Sequence, residues 1–179
     1  MSTEDLRLHA LNTCSTEQFL AVMEIVWENA PWVGQHVVQQ RPFPSVDALH
    51  AGMLAAIQAL PKKKLLAFFA GHPELGGELA RCGAMTAASV REQGLWGLER
   101  LEHQHAQEWD HYNRLYRERF GFPFILCIRQ HNLASALQAF QTRLRNDQVT
   151  EIHNALQEIA AISRLRLQDA ALVTSAPTN

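Results

Sequence analysis

Cysteine is scarce in this chain and widely scattered. Cys14, Cys82 and Cys127 are the only three among 179 residues, an odd number with no Cys-x-x-Cys pair. That excludes a disulfide framework and a thiolate zinc site of the usual spacing, and a reducing compartment fits best. Long apolar runs are missing as well. A stretch such as Phe122 to Ile128 falls far short of the roughly 20 residues a bilayer span needs, so no membrane partner is expected. Nor is one sign of charge in excess. Sixteen Lys+Arg face eighteen Asp+Glu, a net charge of -2, which is no footprint for a nucleic-acid binder. There is no P-loop, no GxGxxG, no GxSxG and no HExxH. The first residues, MSTEDLRLH, are too polar for a secretory signal, and Pro177-Thr178-Asn179 is no peroxisomal address. The expected location is cytoplasmic.

What is present is ordinary globular composition, 47% hydrophobic and 19% charged. A chain of this size folds as one domain, and residues 1–179 show no linker, repeat or low-complexity stretch. The dominant period is helical. Phe19, Leu20, Met23, Val26 and Trp27 form an apolar stripe over 16–29, with Ser15 or Thr16 as cap and Pro31 as stop. Residues 32–44, with Gly34, Pro42 and Pro44, read as loop. Ser45 opens a second helix through Leu49, Met53, Ile57 and Leu60. Pro61 restarts a short one, KKKLLAFFA, which Gly71 ends. GHPELGGELARCG should be irregular, and a long helix follows from about Thr86 to Arg119. FGFPFILCI allows a buried strand by its apolarity, while Gly121 and Pro123 favour an extended connector. Asn132 and Asp147 cap two final helices, reaching about Asn146 and Leu172. The expected fold class is all-α: a single-domain bundle of about seven to nine helices.

Four groups of residues could carry chemistry. His72, between a helix end and a glycine-rich turn, is rigidly held beside Pro73. It suits a general acid or base, and equally a C-cap of the preceding helix. Ser89-x-x-Glu92-Gln93 matches a capping box. If Thr86 caps the helix instead, Ser89, Glu92 and Gln93 share one polar face. On the last helix, Val149, Ile152, Leu156 and Ile159 define a stripe from which Arg166 lies roughly 50° away and Arg164 roughly 110°. Arg164 is then expected to face water. Arg166 should point inward or to the stripe's border, where it needs an acidic partner or an anionic ligand. His105, Glu108 and His111 are spaced to recruit a metal, but a solvated polar face explains them as well, and the expected metal set is none.

Three strings in order add a resemblance: Gly71-His72-Pro73-Glu74-Leu75-Gly76, Ser89-Val90-Arg91-Glu92-Gln93 and Phe120-Gly121-Phe122-Pro123-Phe124-Ile125. Together with Leu11-Asn12, Phe19, Pro31-Trp32, Arg41-Pro42-Phe43, Asn113, Tyr116 and Leu165-Arg166-Leu167, they make the chain resemble the 2-oxo-4-hydroxy-4-carboxy-5-ureidoimidazoline (OHCU) decarboxylases of urate degradation. The resemblance covers nearly the whole chain; HPELG and FGFPFI are its specific parts. The His-rich HQHAQEWDH stretch is not part of it.

The resemblance implies an all-helical homodimer without a cofactor, acting on a ureidoimidazoline carboxylate. It implies His72 as the central catalytic residue with Glu92 as its partner. Pro73, Ser89 and Gln93 would line the pocket, backbone groups around Phe124 and Ile125 would bind the ring amides, and Arg166 would clamp the substrate. Two other readings stand beside it. One is a non-catalytic helical interaction module, in which HPELG and Ser89 to Gln93 are only caps. The other is a metal-dependent hydrolase built on His105, Glu108 and His111.

Overall fold

The structure is a computed structural model that describes residues 3–27, 29–76, 90, 92 and 103–173. Among the described residues every regular element is helical. The elements are α1 (Thr3–Thr13), α2 (Thr16–Val26), α3 (Pro31–Val37), α4 (Val46–Gln58), α5 (Lys62–Ala70), α6 (His103–Phe120), α7 (Leu133–Arg143) and α8 (Gln148–Val173). Short 3-10 turns occur at Val38–Gln40 and Ile128–Gln130. Val90 and Glu92 are also helical. The all-α expectation holds. The expected helix start near Thr86 lies outside the described residues. No described helix is long and apolar enough to cross a membrane.

The chain forms two compact units, one up to Leu65 together with the part from Ile162 onward, the other from Leu66 to Ala161. In the first unit, Ser15 caps α2 by accepting from the Gln18 N–H at 3.2 Å, and the Gln18 side chain returns a bond to the Ser15 N–H at 3.0 Å. This reciprocal box satisfies two otherwise orphaned amides. The buried face of α2 is Phe19, Val22, Met23 and Val26, and α4 buries Leu49, Met53 and Ile57 completely; α3 packs against both helices. The Trp27 indole N–H meets the Met53 Sδ at 3.0 Å. A loop is pinned across this core by Asn12, which donates to the Phe43 carbonyl and accepts from its N–H, both at 2.8 Å.

The reading of residues 32–44 as loop is wrong for its first half. Pro31 does not merely stop α2: the helix ends at Val26, and Pro31 stands at the first turn of α3. A proline there gives up an N–H that would have no helical partner, and its φ is already helical. Val33 and Val37, one turn apart, are buried and draw the segment onto the core. Gly34 lies between them because α3 runs tight against α2; a Cβ there would come within 2.7 Å of the Met23 Cβ.

In the second unit an aromatic core replaces the aliphatic one. Tyr116 packs on Phe120 (4.6 Å between centroids), Phe124 (5.2 Å) and Phe122 (5.8 Å), and Phe124 stacks on Phe140. FGFPFILCI is the connector, not a strand: residues 122 to 128 are all buried, and there is no sheet among the described residues. Asn132 caps α7 by accepting from Ser135, and Asp147 caps α8 by accepting from Thr150.

The stripe expected on α8 is displaced. Its buried line is Glu151, Ala155, Ile159, Ser163, Leu167 and Ala170, whereas Val149 is 75% exposed. The apolar pattern misleads because one buried position is a glutamate. Ile159→Ala should therefore cost about 2–5 kcal/mol, the usual range for a buried isoleucine, and Val149→Ala less than about 0.5 kcal/mol. Urea unfolding of both variants checks the displacement; equal losses would restore the expected stripe.

Candidate active site

His72 follows the last turn of α5. Its backbone N–H donates to the Phe69 carbonyl at 3.0 Å, and its ring Nδ1 lies 3.2 Å from the Phe68 carbonyl. A carbonyl only accepts, so Nδ1 carries the proton in this contact and Nε2 holds the lone pair of the neutral ring. The Phe68 ring meets the imidazole edge-on at 5.2 Å. The capping and acid–base readings of His72 are thus compatible: the cap uses Nδ1, while proton transfer needs Nε2.

The turn that carries His72 is fixed at several points. Pro73 is half-buried. The Leu75 carbonyl accepts from the Asn113 side chain at 2.9 Å, and Glu74 pairs with Arg117 at 2.8 Å. Gly76 adopts a φ of 62°, a left-handed conformation that favours glycine. A half-buried histidine on a turn clamped by α6 keeps its ring in one place, as acid–base work demands.

The connector after α6 supplies a second surface. The Ile125 carbonyl accepts from Arg143 Nη1 at 2.9 Å, and the Cys127 N–H donates to Glu158 at 2.7 Å. Among the described residues, none hydrogen-bonds to the N–H groups of Ile125 and Leu126. Buried amides in an irregular segment are ordinarily satisfied by side chains, water or a ligand. Glu92 is half-buried, and its carboxylate lies close enough to Cys127 to influence the thiol. Burial first, then Glu158, then Glu92, push that thiol from 9.0 up to about 11.

Behind the connector lies a charge that sequence reasoning missed. Glu151 is fully buried. It accepts from the Tyr116 hydroxyl, from Arg143 Nε and Nη2 at 3.0 Å, and from the Asn146 and Asn154 amides at 2.7 Å. Burial raises the Tyr116 hydroxyl well above its ordinary range, so Tyr116 is a donor here. A signal for Arg143 did exist: Ala136, Phe140 and Arg143 recur at helical spacing on the buried face of α7.

Of the expected site residues, His72, Pro73, Glu92, Phe124 and Ile125 belong to the second unit and Arg166 to the first. Ser89 and Gln93 lie outside the described residues. Arg166 is half-buried, as a border position requires. Arg164 does not face water: its side chain is 27% exposed and pairs with Asp47 at 2.6 Å. The displaced stripe explains this, since the buried line passes through Ser163, beside Arg164. Among the described residues no three His, Cys, Asp or Glu side chains are grouped to hold a metal ion.

The described residues define an all-helical protein with a helix-end histidine, a buried backbone strip and a half-buried carboxylate close to Cys127. A model of the OHCU decarboxylase family matches residues 12–168. The 2-oxo-4-hydroxy-4-carboxy-5-ureidoimidazoline decarboxylase of Haloferax volcanii is 32% identical over 165 residues, 92% of this chain and 96% of that protein. The enzyme of the same name from Mus musculus is 35% identical over 159 residues, covering 89% of each. A crystal structure of (S)-allantoin synthase shares the fold, with a TM-score of 0.72 at 20% identity over 91% of this chain. This chain spans about half of that one, 53%. The chain belongs to the OHCU decarboxylase family.

Two outcomes follow from the geometry. Glu151→Ala should destabilise the protein by about 3–5 kcal/mol, because it leaves Arg143 buried and unpaired. Replacing Arg143 and Glu151 together by Met and Leu should cost less than that single change, as a urea double-mutant cycle would show. For Cys127 the folded thiol titrates above its unfolded value. Its stabilising contribution is therefore complete below about pH 9 and lost as the pH rises toward 11. In a Cys14→Ser, Cys82→Ser background, the urea midpoint should fall more steeply over that window than in the same protein carrying Cys127→Ala; parallel curves would refute the shift.

Proposed function

We propose that this chain is a carboxy-lyase that decarboxylates 2-oxo-4-hydroxy-4-carboxy-5-ureidoimidazoline to (S)-allantoin, the last step of urate-to-allantoin degradation. Family membership favours catalysis over the interaction-module reading. The observation that carries the assignment of roles is His72, its ring held through Nδ1 on a clamped turn, which gives Nε2 a defined direction.

The substrate supplies its own electron sink. A C=N bond adjoins the carbon that bears the carboxylate and the hydroxyl. Breaking the bond to the carboxylate releases CO2 and moves the electron pair into that C=N bond, giving an enol-like intermediate. The ring nitrogen takes up a proton, the former imine carbon is protonated on one face, and the hydroxyl gives up its proton to become the carbonyl, which yields (S)-allantoin. The protein must orient the ring, seat the carboxylate in apolar surroundings and handle protons. His72 bonds the 4-hydroxyl region and shuttles a proton. Glu92 orients or charges the imidazole, or moves the proton itself. Backbone groups around Phe124 and Ile125 meet the ring amides, with Pro73, Ser89 and Gln93 lining the pocket. Arg166 is assigned by resemblance as the clamp on substrate oxygens. The reading takes residues 1–179 as one functional domain, needs no cofactor, and carries with it a cytoplasmic homodimer.

The test generates the substrate in the cuvette from urate with urate oxidase and hydroxyisourate hydrolase, and follows circular dichroism. Uncatalysed decay ends in racemic, optically silent allantoin. With the chain present, the substrate signal should vanish fast and a lasting (S)-allantoin signal remain. His72→Ala should lose at least about 100-fold in kcat, the low end for a general acid or base. Glu92→Gln should lower kcat more than it raises KM. Near-normal turnover by His72→Ala would sink the assignment.

A further inference from the structure

The connector from Phe124 to Cys127 belongs to no ladder, so side chains must hold its backbone. It is held at two points on alternate residues. Arg143 Nη1 donates to the Ile125 carbonyl at 2.9 Å, and Glu158 accepts from the Cys127 N–H at 2.7 Å. The two anchors also pair with each other, since the second Glu158 oxygen lies 3.8 Å from the same Arg143 Nη1. The Arg143 guanidinium sits over the Phe124 ring at 4.7 Å, and that ring stacks on Phe140. One end of this clamp is rigid, because Arg143 is locked on the fully buried Glu151. The other end, Glu158, has a side chain 21% exposed and makes one short bond.

We propose that Glu158 is a positioning residue for substrate: it fixes the register of the strip that binds the ring amides without touching the substrate itself. The inference rests on the decarboxylase reading and deepens it. Without the Cys127 anchor, the chain beyond Ile125 can turn, and the amides aimed at the substrate lose their alignment. Because the strip binds ground and transition states alike, the loss falls on KM rather than kcat.

The test compares E158A and E158Q in the coupled assay, with (S)-allantoin affinity measured by calorimetry. In E158A, KM and the (S)-allantoin Kd should each rise about tenfold, the equivalent of one hydrogen bond, while kcat stays within about threefold. E158Q keeps an oxygen that can accept the Cys127 N–H and should recover most of the loss. A second variant removes the donor instead of the acceptor. Cys127 has a φ of −76°, which proline adopts, so Cys127→Pro should also raise KM, and E158A should add little on top of it. A purely structural role would lower Tm in E158A and leave KM unmoved; that result overturns the proposal. So would equal impairment of E158A and E158Q, which would point to charge rather than to the anchor. If the wild-type chain turns over substrate while E158A matches it, only this inference fails. A wild-type chain without turnover overturns both readings.

Discussion

A carboxylate taken wholly out of water is the constraint on which the second unit depends. Glu151 has no exposure, and an isolated buried charge would cost several kcal/mol even after relaxation. The charge is tolerable because Arg143, Tyr116, Asn146 and Asn154 converge on it from α6, α7, the α7–α8 turn and α8 itself. Such a centre does not add much net stability compared with a well-packed apolar one. What it does is specify: α6, α7 and α8 must meet in one register or the charge is stranded. The same arginine reaches past Glu151 to the Ile125 carbonyl. The interaction that sets helix register therefore also sets the path of the connector.

That coupling explains how a segment without secondary structure can hold a fixed shape. FGFPFILC makes no ladder, yet it is buried from Phe122 onward. Its rings fill the aromatic core around Tyr116, and its backbone is tied at Ile125 and Cys127. Aromatic packing fixes where the chain lies, and the two side-chain anchors fix which backbone groups face which way. The N–H groups of Ile125 and Leu126, which donate to no described residue, then occupy defined positions. A loop on the surface could not present them so reproducibly, because water would compete for every group.

The helical class, the caps at Ser15, Ser45, Asn132 and Asp147 and the short helix after Pro61 were all legible, because each rests on local chemistry. HPELG and FGFPFI stand out by resemblance, and each joins a proline that fixes φ to a glycine that takes up a positive φ. The errors arose where burial overrode pattern. Pro31 reads as a stop in one dimension, but Val33 and Val37 recruit it as a helix start. The α8 stripe was misplaced because apolarity stood in for burial, and Glu151 breaks that equivalence. The misplacement carries over to Arg164, which the pattern turns toward solvent and which instead pairs with Asp47. The ion cluster at Glu151 could not be seen from any single helix: the spacing of α7 marks Arg143 as buried, but its partners sit on α6, the α7–α8 turn and α8.

His72 shows why a capping role is no argument against catalysis. Catalytic imidazoles need one nitrogen held so that the other has a defined direction and tautomer. A helix C-terminus offers carbonyls that have lost their partners, and Phe68 provides one to Nδ1 at 3.2 Å. The helix end thus does for this ring what a buried carboxylate does in a serine-protease triad, with a weaker pull on the proton. A neutral carbonyl orients the imidazole without strongly favouring its charged form. That is what the proton shuttle proposed for His72 requires. With a neutral carbonyl behind the ring, the charge on the imidazole has to come from elsewhere, which is the part proposed for Glu92.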